Sequence, residues 1–573
     1  MHQVSKRWEV KPPLSPEQDS PLSDLPPILR QILFHRSYST YDTARQFLRA
    51  DPPDGVDPFH MLGMTEAVAR IEWAVERQEP IAIYGDYDVD GVTSTALLVQ
   101  ALKALTHDVH GYIPNRFDEG YGLNNEALDH LQESGYKLVI TVDCGVRSLA
   151  EASHAGDSGL DLIITDHHQP GSELPKAIAV INPKRVGDSY PEKELAGVGL
   201  AYKLVQALYS QLKRKGRLPA HAPNAETFLD LVALGTVADL APLLGENRHL
   251  VRAGLKSIQR FPRQGLQSLL GVADVRPNRV TSRDIGFILG PRLNAAGRLD
   301  SALTALELLS IDDVQKTGQL AQILDNQNRE RQKITREVQE QAEQIALQTD
   351  KETFLLFAAH PDFNPGVVGL AASRLTDQYY RPAIVAHQGE THTRGSCRSI
   401  PEFHITEALD LCSDLLVRYG GHAAAAGFTV ENSALPALVA RLQEIAEDRL
   451  SMHDLRPTLS ADVELSLSEL EPEFIDYLKW LQPTGHKNPE AVFVSRDLEV
   501  RNARPVGREG NHLKLTVSDG WITYDGIAFR QGHWVETMPA RIDIMYTFEL
   551  NEYNGRSSLQ LNVRDLKPAG TLD

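Results

Sequence analysis

The sequence predicts an α/β protein: a doubly wound parallel sheet, a long connecting helix, a second α/β domain and a C-terminal OB-type β-barrel. Three observations predict it. Short apolar runs alternate with helical segments from about residue 65 to 245. Residues 311–348 form a long polar stretch without proline, and without glycine after Gly318. From about residue 455, five alternating strand patterns follow one another with turn residues between them.

The elements follow in order. Residues 1 to about 50 are Pro-rich and then weakly helical over 26–50, an N-terminal appendage without readable chemistry. A helix over 65–77 leads to a strand at Ile81, a helix from Thr93, a short strand near 109–113 and a helix over 124–134. Strands at 138 and 160 come next, with 177–182 another candidate, and 196–310 is mostly helical. A second α/β unit occupies about 352–450. In it FLLFAA and AIVAHQ are strands, 367–378, 406–416 and 435–450 are helices, and GGHAAAAGF (420–428) is a glycine-rich turn. VFVSRDLEV, HLKLTVS, ITYDGIAF, RIDIMYTFEL and LQLNVRDL are the barrel strands. The expected domains are therefore an appendage (1–60), a parallel-sheet domain (61–245), a basic helical region with the connecting helix (246–350), a second α/β domain (351–452) and an OB-type barrel (453–573).

At 573 residues the chain exceeds one hydrophobic core, and 42% hydrophobic with 24% charged residues is ordinary globular composition. Three widely spaced cysteines exclude a disulfide framework and a Cys-based zinc site. No apolar run approaches a membrane span, and the first residues lack a secretion signal, so a cytoplasmic protein with no membrane association is expected.

A net charge of −19 argues against a polyanionic partner until its distribution is read. Residues 247–298 hold ten Lys or Arg and only two acids, Asp274 and Asp284, a local charge of about +8. Within that segment Arg248, Arg252, Lys256 and Arg260 recur every fourth residue along one helical face. A solvated helix face is the bland explanation. Because the stripe begins nine residues after Asp239 and lacks nearby acids, a surface that tracks nucleic-acid phosphates is expected instead.

Four apolar runs end in acids or histidines: 81–91 (IAIYGDYDVDG), 138–145 (LVITVDCG), 160–168 (LDLIITDHH) and 228–239 (FLDLVALGTVAD). The first three read as buried strands, and a parallel sheet gathers strand ends along one ligand-binding edge. Asp86, Asp88, Asp90, Asp143, Asp166, His167, His168 and Asp239 would then crowd into one cleft. One carboxylate at a strand end is commonly a helix cap; this many require cations. Oxygen ligands with one or two imidazoles and no thiolate suit Mn2+ or Mg2+, and five or more acids suggest two ions. No Ser-His-Asp arrangement stands out, so direct attack by water is expected. Cationic clusters that could hold substrate are Arg116 in PNRFDEGYGL, Arg292, Asn294 and Arg298 in GPRLNAAGRL, and Arg394, Ser396 and Arg398 in RGSCRS. Each arginine could equally be a surface residue in a Gly-rich turn. His422 in GGHAAAAGF could be a phosphate ligand or a satisfied loop histidine.

DYDVDG, VDCG, TDHH and GTVAD, in this order, resemble the signature of the DHH phosphoesterases, and RGSCRS with GGHAAAAGF resembles their accessory DHHA1 domain. With GPRLNAAGRL, the long helix, LQPTGHKNPEAVF and the barrel, nearly the whole chain resembles the RecJ family of single-strand-specific exonucleases. The resemblance implies that Asp88, Asp90, Asp143, His167 and Asp239 are metal ligands, with Asp143 bridging two ions. It implies that Asp86 and Asp166 orient ligands, that His168 faces the scissile phosphate, and that Arg116, Arg298, Ser396 and Arg398 hold a terminal 5′ phosphate. Tyr84 departs from the pattern, standing where many relatives have a histidine. The implied activity is 5′-to-3′ degradation of single-stranded DNA to 5′-mononucleotides in repair and recombination. The implied partners are single-strand-binding protein, a helicase and other repair proteins around a monomeric enzyme. In the barrel Tyr524, Phe529, Trp534 and Tyr546 are candidate stacking residues or simply core. Two rivals are a small-substrate phosphatase or oligonucleotidase, for which the barrel and basic segment are superfluous, and a non-catalytic strand-binding scaffold.

Overall fold

The computed structural model describes residues 5–115, 119–120, 122–349, 353–553 and 556–571. It divides into two compact units. One comprises residues 14–328 and 473–490; the other comprises the N-terminal residues to 13, then 329–472 and 491–573.

In the first unit the strands are Val109–Tyr112, Ile81–Gly85, Leu138–Val142, Asp161–Thr165 and Ala179–Ile181, in that spatial order and all parallel. Period-two alternation buries both faces. Ile81 and Ile83 join the core formed with Val89–Lys103, Gly197–Arg214 and Leu229–Ala238, while Ala82 and Tyr84 join the core under Asn125–Glu133 and Leu149–Asp157. The chain leaves Ile81–Gly85 for one edge and returns to its other side at Leu138–Val142, so the crevice between those two strand ends is a topological switch point. Register sets what lies there. Gly85, Val142, Thr165 and Ile181 pair in one row across the sheet, so the next residues, Asp86, Asp143, Asp166 and Asn182, line the carboxyl edge.

The fourth acid-ending run is a helix, Leu229–Ala238, with Asp239 at its C-cap. Every residue from Leu229 to Val237 is buried, and that is why the run is largely apolar, with Asp230 and Thr236 its polar members.

The basic stripe is only partly a surface. Arg248, 1% exposed, donates to the carbonyls of Phe47, Trp480, Leu481, Gln482 and Pro483 at 2.9–3.1 Å. Its guanidinium also lies 4.0 Å from the centre of the Phe47 ring. Arg252 donates to the Leu48 carbonyl, while Lys256 and Arg260 are exposed. The expected phosphate-tracking role is thus corrected for Arg248: five carbonyls saturate its donors, and it clamps residues 480–483 to the catalytic unit. Arg263 from the same basic segment is likewise internal, paired with Asp230 through two contacts of 2.6 and 2.7 Å.

In the second unit a mixed sheet runs Leu416–His422, Ala425–Glu431, His392–Arg398, Ala383–Gln388, Leu356–His360. The expected glycine-rich turn at 420–428 is therefore a β-hairpin, with His422 opposite Ala425, and the preceding helix is only Ile405–Asp410. Tiny residues there allow close strand approach, a need that sequence alone does not separate from a turn. Phe493–Val506, His512–Ser518, Thr523–Ala528, Arg556–Pro568 and Arg541–Tyr553 form a barrel that closes by pairing Phe493 with Tyr546. Tyr524 and Tyr546 are core residues of this barrel, whereas Phe529 is exposed and Trp534 half-buried. Arg7–Val10 pairs with Thr458–Ala461, and Trp8 donates to Asp565 at 2.8 Å, so the extreme N-terminus is part of this unit. The long helix is Val314–Thr349. Among the described residues no helix is long and apolar enough to cross a membrane.

Arg248→Met keeps much of the side-chain volume but strips five carbonyls of their donor. It should lower unfolding free energy by at least about 3 kcal/mol in chemical denaturation, against under ~0.5 kcal/mol for Lys256→Met on the same helix. Equal stability of the two variants would refute the clamp.

Candidate metal centre

The carboxyl edge of the parallel sheet gathers its acids through three local devices. Asp88 caps the helix Val89–Lys103, accepting from the backbone N–H of Asp90 at 2.9 Å and of Gly91 at 3.1 Å. Asp90, buried, has both oxygens held by the first N–H groups of Gly197–Arg214, from Gly197 at 2.6 Å and Val198 at 2.8 Å. Asp143 leaves its strand at φ 63°, a left-handed conformation that a non-glycine residue adopts at a cost and that is common at functional sites.

These devices bring three overlapping groups within chelating distance: Asp86, Asp88 and Asp143; Asp90, His167 and Asp239; and Asp143, His167 and His168. His167 Nε2 lies 3.1 Å from Asp143 Oδ1, 3.6 Å from Asp239 Oδ2 and 3.8 Å from Asp90 Oδ2. Asp143 Oδ1 and His167 Nε2 are both buried without a hydrogen-bond partner. Two buried lone pairs pointed at each other are costly unless a cation lies between them. The residues present therefore fit a divalent ion, and the oxygen-rich donor set fits a hard one.

Electrostatics agree. Burial, then the charges of Asp90 and Asp88, push the Asp239 carboxyl up to about 9. Burial and the neighbouring Asp88 push Asp90 up to about 7, and burial with Asp90, Asp88, Asp86 and Asp239 raises Asp143 well above the carboxylate range. Burial and the adjacent His168 hold the His167 imidazole down to about 3, neutral and ready to ligate. Without cations this cluster tends to bind protons; with them the carboxylates ionise.

Asp166 does different work. Its Oδ2 accepts from Val146 N–H at 2.9 Å, and its Oδ1 accepts from His168 N–H at 3.0 Å and Nδ1 at 2.8 Å. Burial opposes ionisation of both groups, but the Asp166–His168 hydrogen bond overrides it, lowering the Asp166 pKa and raising that of His168. With Nδ1 committed to Asp166, Nε2 is the ring nitrogen that a substrate oxygen can meet.

Asp86 stands apart from its sequence-based expectation. It groups with Asp88 and Asp143 as a potential ligand rather than behind them. Tyr84, at the position where many relatives have a histidine, faces away into the core. It is fully buried beneath the sheet, donates to the Gly122 carbonyl at 3.0 Å and stacks on Tyr112 at 5.1 Å. Cys144 is buried and in no chelating group.

The expected substrate residues fall out unevenly. Arg116 lies outside the described residues. Arg292 is turned inward, its Nε on buried Asp325 at 3.0 Å and another guanidinium nitrogen on the Ile288 carbonyl at 2.7 Å, which corrects its reading as a substrate ligand. Asn294 accepts from Val89 N–H at 3.2 Å and so braces the Asp88–Asp90 loop instead. Arg298 is half-buried in the last turn of Gly290–Leu299. On the other unit, Ser396 and Arg398 share one face of their strand, with Arg398 donating to Ser396 Oγ at 3.3 Å. Arg394 and His422 are exposed.

Sequence reasoning missed the glycines that let backbone close on these groups. A Cβ on Gly197 would sit 2.9 Å from both Asp143 Cβ and Asp90 Oδ2. A Cβ on Gly369, in the first turn of Val368–Tyr379, would sit 2.8 Å from Ser396 Oγ and 3.2 Å from an Arg398 terminal nitrogen. That helix start therefore closes directly on Ser396 and Arg398. Small residues at helix starts were the only available signal.

Known proteins match this geometry. Residues 80–236 match the DHH family N-terminal domain, 352–448 the DHHA1 domain and 461–565 the RecJ OB domain. The chain is 39% identical over 568 residues to the single-stranded-DNA-specific exonuclease RecJ of Bacillus subtilis, covering 98% of this chain and 70% of that protein. It is 35% identical to that of Escherichia coli, covering 95% and 96%. A crystal structure of RecJ from Thermus thermophilus in complex with Mn2+ superposes with a TM-score of 0.84 at 31% identity, over 99% of this chain and 80% of that one. A Mg2+ complex from the same organism gives 0.79 at 30% identity, over 99% and 79%. Matched to these relatives over nearly its whole length, the chain belongs to the RecJ family of single-stranded-DNA-specific exonucleases.

Proposed function

We propose that this chain hydrolyses single-stranded DNA from its 5′ end, releasing 5′-mononucleotides, with two Mn2+ or Mg2+ ions held at the sheet edge. The observation that carries this reading is the pair of orphaned buried atoms, Asp143 Oδ1 and His167 Nε2, inside a ring of carboxylates. One ion would be held by Asp86, Asp88 and Asp143 and the other by Asp90, His167 and Asp239, with Asp143 shared. Divalent ions supply acidification of water and neutralisation of charge on the phosphoryl transition state.

The chain's own residues do the positioning. Asp166 holds the His168 ring so that Nε2 faces a phosphodiester oxygen, and Asn294 and the Gly197 N–H fix the loops that carry the acids. On the second unit, Ser396 and Arg398 beside the helix start at Gly369 would bind a phosphate of the strand, taken by family resemblance to be the terminal 5′ one. Lys256 and Arg260 would track the strand backbone; exposed Phe529 and Trp521 on the barrel would stack its bases. Three buried free thiols support work in a reducing cytoplasm. A monomer acting with single-strand-binding protein, a helicase and repair or recombination proteins completes the proposal by family resemblance.

The test is digestion of a long end-labelled 5′-phosphorylated strand beside a dinucleotide, in Mn2+, Mg2+ and chelator. Metal-dependent mononucleotide release from the long strand is expected; preference for the dinucleotide would favour a small-substrate phosphodiesterase. Asp143→Ala should abolish hydrolysis while keeping strand affinity within a few-fold, and Asp166→Asn should cost about 10–100-fold in kcat. Full activity in Asp143→Ala would remove that residue from the mechanism.

Acids whose folded pKa is raised stabilise the fold at low pH and lose that contribution as pH climbs. With Asp239 at about 9, metal-free protein should lose stability relative to Asp239→Asn as pH rises from about 4 toward 9. Saturating Mn2+ should reverse the order of the two melting temperatures. A melting difference independent of both pH and metal would contradict the clustered-acid reading.

A further inference from the structure

The strand His392–Arg398 alternates strictly between the two faces of its sheet. Thr393, Gly395 and Cys397 are buried on one side, while His392, Arg394, Ser396 and Arg398 occupy the other. Register carries that second face across the whole sheet. His360 pairs with His387, His387 with Arg394, Arg394 with Thr429, and Thr429 with Arg418. One row over five strands therefore presents two imidazoles and two guanidinium groups on the same face. The row lies two residues, about 6.8 Å, along the strand from Ser396. The His387 ring is fixed by Nδ1, which donates to the Phe363 carbonyl at 2.9 Å and leaves Nε2 as its open position. Arg394 and Arg418 are exposed and have no ion-pair partner among the described residues. Two exposed acids border the row: Asp362 Oδ2 lies 3.7 Å from His360 Nδ1, and Glu431 stands opposite His392.

Arginines that hold this fold together, such as Arg248, Arg263 and Arg292, are saturated by carbonyls or buried acids. The cations of this row are left open instead, in register and one step from Ser396 and Arg398. On the exonuclease reading above, on which the inference rests, that pair takes the terminal 5′ phosphate. The sugar side of that phosphate leads on to the scissile bond; its other side is vacant unless the strand end carries more phosphate. We propose that His387 and Arg394, flanked by His360 and Arg418, form a subsite for the outer phosphates of a 5′-triphosphate. Two phosphoanhydride links span about the one step between rows, and a guanidinium fork matches phosphate oxygens in pairs. Strands with a 5′-triphosphate are then substrates alongside those with a 5′ monophosphate. Water adds to the phosphorus of the first phosphodiester, and the 3′ oxygen of the first nucleotide leaves with a proton. That nucleotide departs as a nucleoside 5′-triphosphate with its anhydride bonds intact. The shortened strand enters the next cycle with a 5′ monophosphate.

The experiment uses the full chain in Mn2+ with two DNA strands of one sequence that differ only at the 5′ end, monophosphate or triphosphate. The wild type should hydrolyse both with kcat/KM within about threefold, and should release the first nucleotide of the second strand as a nucleoside triphosphate. Arg394→Gln and His387→Gln should each lower kcat/KM on the triphosphate strand roughly tenfold more than on the monophosphate strand, mainly through KM. Arg394→Lys keeps the charge without the fork and should recover part of the loss. Because Arg394 is exposed, Arg394→Gln should melt with the wild type, which separates the role from a structural one. Equal losses on both strands would assign the row to the strand backbone and overturn the subsite. So would a wild type that cleaves the monophosphate strand and not the triphosphate one. Failure of the wild type on both strands would instead sink the exonuclease reading, and the subsite with it.

Discussion

Crowded negative charge at one edge of a parallel sheet is the constraint on which the catalytic unit is built. Pairing of Gly85, Val142 and Thr165 in one row puts Asp86, Asp143 and Asp166 at three adjacent strand ends. The helix cap Asp88, Asp90 and the helix-end Asp239 then arrive at the same place. Burial, reinforced by the charges of neighbouring carboxylates, raises the pKa values of Asp90, Asp143 and Asp239. Divalent ions resolve the conflict. The free energy stored in the metal-free cluster becomes affinity for the ions that the chemistry needs.

The backbone around the cluster is shaped by the same demand. Asp143 turns into the left-handed region, and Gly197 gives up its side chain so that two N–H groups can reach Asp90. Both concessions are tolerated because the sheet and the helices packed on it over-determine the local conformation. In the second unit a helix start closes in the same way on Ser396 and Arg398 at Gly369.

Arginines in this chain divide by partner rather than by sequence spacing. Arg248, Arg263 and Arg292 all lie in the basic segment, yet carbonyls or buried acids saturate them and they hold elements together. Lys256 and Arg260 on the same helix remain exposed. A count of local charge therefore overstates the surface available to a polyanion, because buried guanidinium groups contribute to the sum and not to the outer field.

Sequence by itself determined the parallel sheet, the long helix, the closed barrel and the clustering of acids. Each rests on local periodicity or on residue types that tolerate few environments, such as DYDVDG after a buried apolar run. Tertiary structure alone decided which acids share an ion, that Asp239 arrives from a helix, that Asp86 stands beside Asp88 and Asp143, and that Tyr84 and Arg248 serve the core. It also decided that Arg292 braces a helix while Gly197 and Gly369 let helix starts close on Asp90 and Asp143 and on Ser396 and Arg398. The reason is physical: periodicity follows from a residue's neighbours in the chain, whereas coordination, burial and close approach depend on groups hundreds of residues away.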